Sequence, residues 1–272
     1  MGPECTIGRG CRTVPVPAVK HGSKGRPALV IVSYIRPETL EDALDHLAAP
    51  DARPLAGGTW LVAQRTDQAI EAVDLQSLPL AGIAAELGSI RIGATTTLQD
   101  IVDAPDVPPT LADLARREAP RSIRNAATIG GTIALADPES ELLAGLLAYG
   151  ATVSIAGTTS QARLALDQVF DNLAALDDGL ITDVSFPTTG HAAADRTGRT
   201  PADRPIVAAV AHRDPGGTRL ALTGVASRPI LVDADAIGDL EPPADFRGSS
   251  DYRRQLARIL SARVVTSVEV AR

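Results

Sequence analysis

The stretch RNAATIGGTIALADPESE, Arg124–Glu141, constrains this chain more than any other. It sets two adjacent glycines, Gly130 and Gly131, between a basic start and an acidic end, ahead of a strong helix signal. A turn needs one glycine; two imply that something approaches the backbone closely. A second diglycine, Gly57-Gly58 in PLAGGTWL, has the same surroundings: a threonine, aliphatic neighbours and a helical segment ahead. Successive backbone N–H groups in such turns form anion-binding concavities, and a helix N-terminus adds partial positive charge. Two loops converging on one pyrophosphate explain the doubling. On spacing alone, two ordinary turns are the favoured explanation. No G-x-G-x-x-G and no P-loop lysine occur, which disfavours a Rossmann or P-loop site.

The flanking pattern reads as strands and helices mixed without regular βαβ alternation, so the fold class is α+β. VIVSYI is a strand. In RPETLEDALDHLAA, Leu40, Ala43, Leu44 and Leu47 fall on one helical face. Thr59 is placed to cap a short helix containing Leu61 and Val62. AIEAVDL is a strand. GSIRIGATTTLQDIV is a strand turning into a helix, with Thr97 and Asp100 as a capping box. PPTLADLARREA is a further helix. After TIGGTIALA, Asp137 is placed as an N-cap and Pro138 as the first residue of a helix buried along Leu142, Leu143, Leu146 and Leu147. ATVSIAG, LITDVSFP, PIVAAVAHR and TRLALTGVA are strands, the last two joined by the turn signal DPGG. A final helix carries Tyr252, Leu256, Ile259 and Leu260.

The 272 residues carry a formal net charge of −7, which argues against nucleic acid as a partner. No apolar run approaches the ~20 residues of a membrane span. The two cysteines, Cys5 and Cys11, are too few for the ligands of an iron–sulfur cluster or for a disulfide framework, so a reducing, cytoplasmic setting is expected. His21, His46, His191 and His212 have no metal-ligand spacing and read as surface or capping residues. Residues 1–28 hold the only lysines, Lys20 and Lys24, and show no apolar periodicity; they read as a disordered extension, with a docking arm as the alternative.

PLAGGTWL at 54–61, IRIGATTTLQDI at 90–101, IRNAATIGG at 123–131, the ADPES after it and YRRQLARIL at 252–260 occur in this order across residues 30–265. In these words the chain resembles the FAD-binding medium subunit of molybdenum hydroxylases, the family of xanthine, carbon monoxide and aldehyde dehydrogenases. The resemblance implies a two-subdomain FAD-binding fold of the PCMH (vanillyl-alcohol-oxidase-like) type over 29–187, divided near 85/86, followed by a small α+β C-terminal domain over 188–272. It implies that Ala56, Gly57, Gly58, Thr59 and Trp60 line one side of an FAD pyrophosphate, and Thr128, Ile129, Gly130, Gly131 and Thr132 the other, with Glu141 also at the cofactor. It implies electrons passing from a molybdenum cofactor on a large subunit, through [2Fe–2S] clusters on a small subunit, to FAD here and on to an external acceptor. A dimer of heterotrimers is the corresponding assembly, and the isolated chain does not act on the substrate. The chemistry is the flavin's; the protein supplies position and electrostatics.

Several positions depart from the family pattern. Thr132 stands where asparagine is usual, Glu141 where aspartate is, and Trp60 where a small or acidic residue is. Trp60 either packs on the flavin or adenine or fills core, and core is the reading a lone tryptophan favours. The segment TTGHAAADRTGRTPADRP lacks the aromatic residue often found near the flavin; Arg204 and Asp203 read there as a solvated loop. Two other readings remain open on these departures: a degenerate scaffold subunit without redox function, and a free-standing flavin-dependent oxidoreductase.

Overall fold

A computed structural model describes residues 12–15, 29–64, 68–176, 179–200 and 203–271. Three sheets organise it. The first is ordered β1-β2-β4-β3, from β1 (Arg12–Pro15), β2 (Val30–Arg36), β3 (Ala52–Leu55) and β4 (Ala69–Asp74). β2 and β3 both run parallel to β4, and β1 is antiparallel to β2. Helix α1 (Leu40–Leu47) makes the crossover from β2 to β3; the Thr39 hydroxyl caps it by accepting from the Asp42 N–H at 3.1 Å. Its Ala43 and Leu44 are buried against Val73 and Leu75.

The second sheet is antiparallel, β5-β6-β9-β7-β8, from β5 (Ile83–Glu86), β6 (Ser89–Gly93), β7 (Thr152–Gly157), β8 (Gln161–Ala165) and β9 (Gly179–Pro187). Helices α2 (Leu98–Asp103), α3 (Pro109–Glu118), α4 (Arg121–Arg124), α5 (Ile129–Leu135), α6 (Glu141–Ala148) and α7 (Leu166–Asp171) accompany it. Its core joins Ile90 and Ile92 of β6 to Leu111 and Leu114 of α3 and to Leu142, Leu143 and Leu146 of α6. Every residue of α6 is buried, so this helix is the central post of the molecule. The third sheet, β10-β11-β12-β13, comprises β10 (His191–Thr197), β11 (Val207–Asp214), β12 (Gly217–Thr223) and β13 (Ile230–Leu231). Helix α8 (Ser250–Val270) lays Ala257, Leu260, Val264 and Val268 across it.

Mixed helix and sheet is the class expected. The Thr97–Asp100 capping box is present at the start of α2, and the DPGG hairpin joins β11 to β12. Several local expectations need correction. The expected division at 85/86 cuts the β5–β6 hairpin; the first two sheets part between Asp74 and Ile83. TIGGTIAL is itself a helix, α5, capped by Thr128, so the second diglycine sits inside a first helical turn. Ser140, not Asp137, caps α6; Asp137 instead folds an Asx turn, its Oδ1 accepting from the Glu139 N–H at 2.8 Å. The Thr59 segment stays at the level of turns, with Val62 N–H donating to Gly58 O at 3.0 Å. In α8, Tyr252 and Ile259 face solvent and Arg253 is buried. Of the segment expected to lack structure, Arg12–Pro15 forms an edge strand; its other residues, with Cys5, Cys11 and His21, lie outside the described residues.

His212 corrects the reading of the histidines as surface groups. It is fully buried, stacks on Tyr149 with ring centroids 4.2 Å apart, and its Nε2 lies 2.9 Å from Thr189 O. Burial holds its pKa below the ordinary imidazole value and pushes the Tyr149 hydroxyl up to about 12.

Candidate functional site: a cleft between the first two sheets

A cleft of about 600 Å³ lies between the first two sheets, within the range of cofactor sites. One wall is the end of β3 and the loop from Ala56 to Leu61; the other is the turn after β6, the Ala127–Thr128 segment and one face of α5. Leu180 and Ile181 of β9 extend it, and Arg204 is the one described lining residue from beyond the second sheet.

Nine of the eleven expected site residues line this cleft: Ala56, Gly57, Gly58, Thr59, Trp60, Thr128, Gly130, Gly131 and Thr132. Sequence separation of more than seventy residues between the diglycines is closed by the fold. Ile129 does not line it; its side chain is 1% exposed and belongs to the core, and its N–H donates to Thr96 O at 3.0 Å. Glu141 does not line it either. It is buried at the start of α6, where Arg117 and Arg196 reach its two oxygens at 3.2 and 2.9 Å. Burial pushes its carboxyl above the usual range, with Arg117 and Arg196 opposing.

The four glycines have four different reasons. A Cβ on Gly57 would stand 1.7 Å from Ala126 O, so the first loop touches the backbone of the second directly. Gly58 has φ +67°, a left-handed conformation that favours glycine. A Cβ on Gly130 would meet the Ala94 carbonyl oxygen at 2.9 Å, because Gly130 N–H donates to that carbonyl. Gly131 alone combines a φ outside the left-handed region with no close backbone neighbour: a Cβ there would meet only the Thr128 hydroxyl, at 3.2 Å.

The two diglycines also differ in what their amides offer. Gly130 N–H is bonded to Ala94 O, Gly131 N–H to the Thr128 hydroxyl at 3.3 Å and Thr132 N–H to Thr128 O. The Thr132 hydroxyl turns back onto Thr128 O at 3.0 Å. In the first loop, the N–H groups of Gly57, Gly58, Thr59 and Trp60 have no acceptor among the described residues. Four consecutive unpaired donors beside an open cleft are what an anion-binding nest requires. The two segments thus differ: the amides of the first loop are unpaired, and those of the second are taken up by Ala94 and by Thr128, the cap of α5.

One charged cluster lies in the wall. Glu118, at the end of α3, is buried yet lines the cleft. Arg204 donates to its Oε1 at 3.2 Å and to its backbone carbonyl at 3.1 Å, and also reaches Asp137. The Ser140 hydroxyl donates to Glu118 Oε2 at 3.0 Å. Burial raises the Glu118 pKa, opposed by Arg204, Ser140 and the Leu142 N–H. The Arg204 segment, expected to be a solvated loop, thus closes on the cleft wall. No sequence signal pointed to Glu118, which ends an ordinary amphipathic helix.

The comparisons decide what this cleft belongs to. The FAD binding domain in molybdopterin dehydrogenase matches residues 30–189. The chain belongs to that family. Uncharacterized protein YgfM of Escherichia coli (strain K12) is 34% identical over 252 residues, spanning 86% of this chain and 95% of that protein. Glyceraldehyde dehydrogenase medium chain of Sulfolobus acidocaldarius is 27% identical over 274 residues, covering 87% and 98%. Among solved structures, quinoline 2-oxidoreductase from Pseudomonas putida 86 superposes with a TM-score of 0.77 at 26% identity, over 90% of this chain and 98% of that one. Carbon monoxide dehydrogenase from Hydrogenophaga pseudoflava matches in fold with a TM-score of 0.78 at 24% identity, over 90% and 98%. FAD is the family's cofactor, and the residues present fit it: a dianionic pyrophosphate suits the unpaired amides, and Gly131 lines the cleft without a side chain. Among the described residues no cluster of His, Cys, Asp or Glu could hold a metal, and no helix is long and apolar enough to cross a membrane.

Proposed function

We propose that the chain is the FAD-binding electron-transfer subunit of a molybdenum hydroxylase complex. On this reading [2Fe–2S] clusters on a small partner subunit deliver electrons that a molybdenum cofactor on a large subunit has taken from substrate, and the flavin passes them to an external acceptor. The observation that carries the reading is the meeting of both diglycine segments in one cleft with four unpaired amides. Bound FAD supplies reversible one- and two-electron chemistry. The chain's own part is to hold and screen it: the amides of Gly57, Gly58, Thr59 and Trp60 take the pyrophosphate, and Thr128 and Thr132 border its path on the α5 side. Partners that carry the metals fit a chain with two cysteines. Together with the lack of a spanning helix among the described residues, that cysteine usage is the support for a cytoplasmic setting.

Purification of the complex, with flavin read by absorbance, tests this directly. About one noncovalent FAD per chain is expected, and Gly131→Asp, which sets a carboxylate in the cleft, removes it. The isolated chain is expected to reduce no dye with xanthines, aldehydes or carbon monoxide. Full flavin in the Gly131→Asp protein, no flavin in the wild type even with added FAD, or substrate-driven dye reduction by the chain alone overturns the reading.

A further inference from the structure

We propose that Trp60 is a stacking platform for a flat heteroaromatic ring of the ligand in the cleft, an inference that rests on the FAD reading. Trp60 is the only tryptophan of the chain and the only aromatic side chain among the described cleft-lining residues. It is not core: 53% of it is exposed while it lines the cleft. Its indole has no ring partner or hydrogen bond among the described residues, in contrast to the Tyr149–His212 stack.

The backbone beneath it is fixed. The left-handed Gly58 starts the turn, and the Trp60 carbonyl accepts from the Ala63 N–H at 3.1 Å and the Gln64 side-chain amide at 3.3 Å. The Trp60 amide itself belongs to the unpaired donor set, so the ring projects from the residue that completes the anion nest. On the α5 wall, Leu135 also lines the cleft while 39% exposed. Scattered exposed apolar side chains are ordinary; two large ones bordering one cleft from its two walls leave apolar area for a ligand to cover. An indole favours an offset-stacked aromatic partner, and a dinucleotide offers one ring system on each side of its pyrophosphate. The shared chemistry is the flat heteroaromatic ring; isoalloxazine and adenine are its two sources.

Apo-protein of full length titrated with FAD, FMN and ADP separates these. Base–aromatic stacking is worth ~1–3 kcal/mol, so Trp60→Ala is expected to weaken FAD roughly tenfold, each 1.4 kcal/mol being a factor of ten. Trp60→Phe should restore most of it, and the melting temperature of the apo-protein should stay unchanged because the ring is half exposed. If the flavin ring stacks, FMN weakens with FAD and the emission of bound flavin rises in Trp60→Ala. If adenine stacks, ADP weakens with FAD and ADP quenches tryptophan emission in the wild type. Wild-type affinity of Trp60→Ala for FAD overturns the proposal and leaves the FAD reading standing. So does a lower apo melting temperature without an affinity loss that phenylalanine rescues. Absence of FAD binding in the wild type overturns both.

Discussion

Alanine at Gly131 and alanine at Gly57 should separate binding from folding. At Gly131 a methyl asks little of the apo-protein: φ is not left-handed, and the nearest atom to the new Cβ is the Thr128 hydroxyl at 3.2 Å, which has to shift by a few tenths of an ångström. The position is in the first turn of α5, where alanine is favoured over glycine by up to ~1 kcal/mol. Stability of the apo-protein should hold or rise slightly. The methyl occupies cleft space, however, and overpacking costs about 1–3 kcal/mol, which is roughly 5- to 150-fold in FAD affinity. At Gly57 the cost falls on the fold. The Cβ would lie 1.7 Å from Ala126 O and 2.5 Å from Ala126 C, both backbone, so the two loops must part by more than ~1 Å. A similar 1–3 kcal/mol then appears as stability, and at about 2–4 °C per kcal/mol for a chain of this size the melting temperature drops by roughly 2–12 °C. Thermal melts of both apo-variants and flavin-fluorescence titrations of each measure the contrast. Wild-type affinity in Gly131→Ala, or a wild-type melting temperature in Gly57→Ala, would refute the division of labour among the glycines.

Two further outcomes follow from the wall and the edge. Glu118 has a folded pKa above its unfolded value, so it binds its proton more tightly when folded; its contribution is present below the unfolded value and is lost as pH rises through the folded one. The difference in melting temperature between wild type and Glu118→Gln should therefore shift in favour of the variant as pH rises from ~4.3, and a pH-independent difference would contradict this. Deletion of residues 1–28 removes β1 and bares the outer edge of β2, an association-prone feature. Faster aggregation and lost amide protection from Ser33 to Arg36 are expected by light scattering and hydrogen exchange; unchanged behaviour would show that the β1 pairing contributes nothing.

The helices and strands were legible where local chemistry dictated them. Thr97 and Asp100 wrote their capping box in the sequence, and the leucines of α6 wrote their burial. The cleft was legible as two glycine pairs, since glycine is chosen for what must come close. What came close was not. Gly57 and Gly130 meet the chain's own backbone at Ala126 and Ala94, partners some seventy and thirty-six residues away that no local pattern reveals. Glu141 looked like a site residue because the family resemblance puts an aspartate there, yet Arg117 and Arg196 hold it in a buried ion network outside the cleft lining. Arg204 looked solvated because its neighbours are polar; its partners Glu118 and Asp137 are set by how the third sheet docks. Trp60 looked like core because tryptophan is large, and only the turn at Gly58 decides that it faces out.

The contact between Gly57 and the Ala126 carbonyl has a mechanical meaning. Two backbones in touch act as a stop against further closure, so the cleft has a least width at this point. From this position the two loops can part but cannot draw nearer, and a ligand thinner than that width is not gripped by bringing them together.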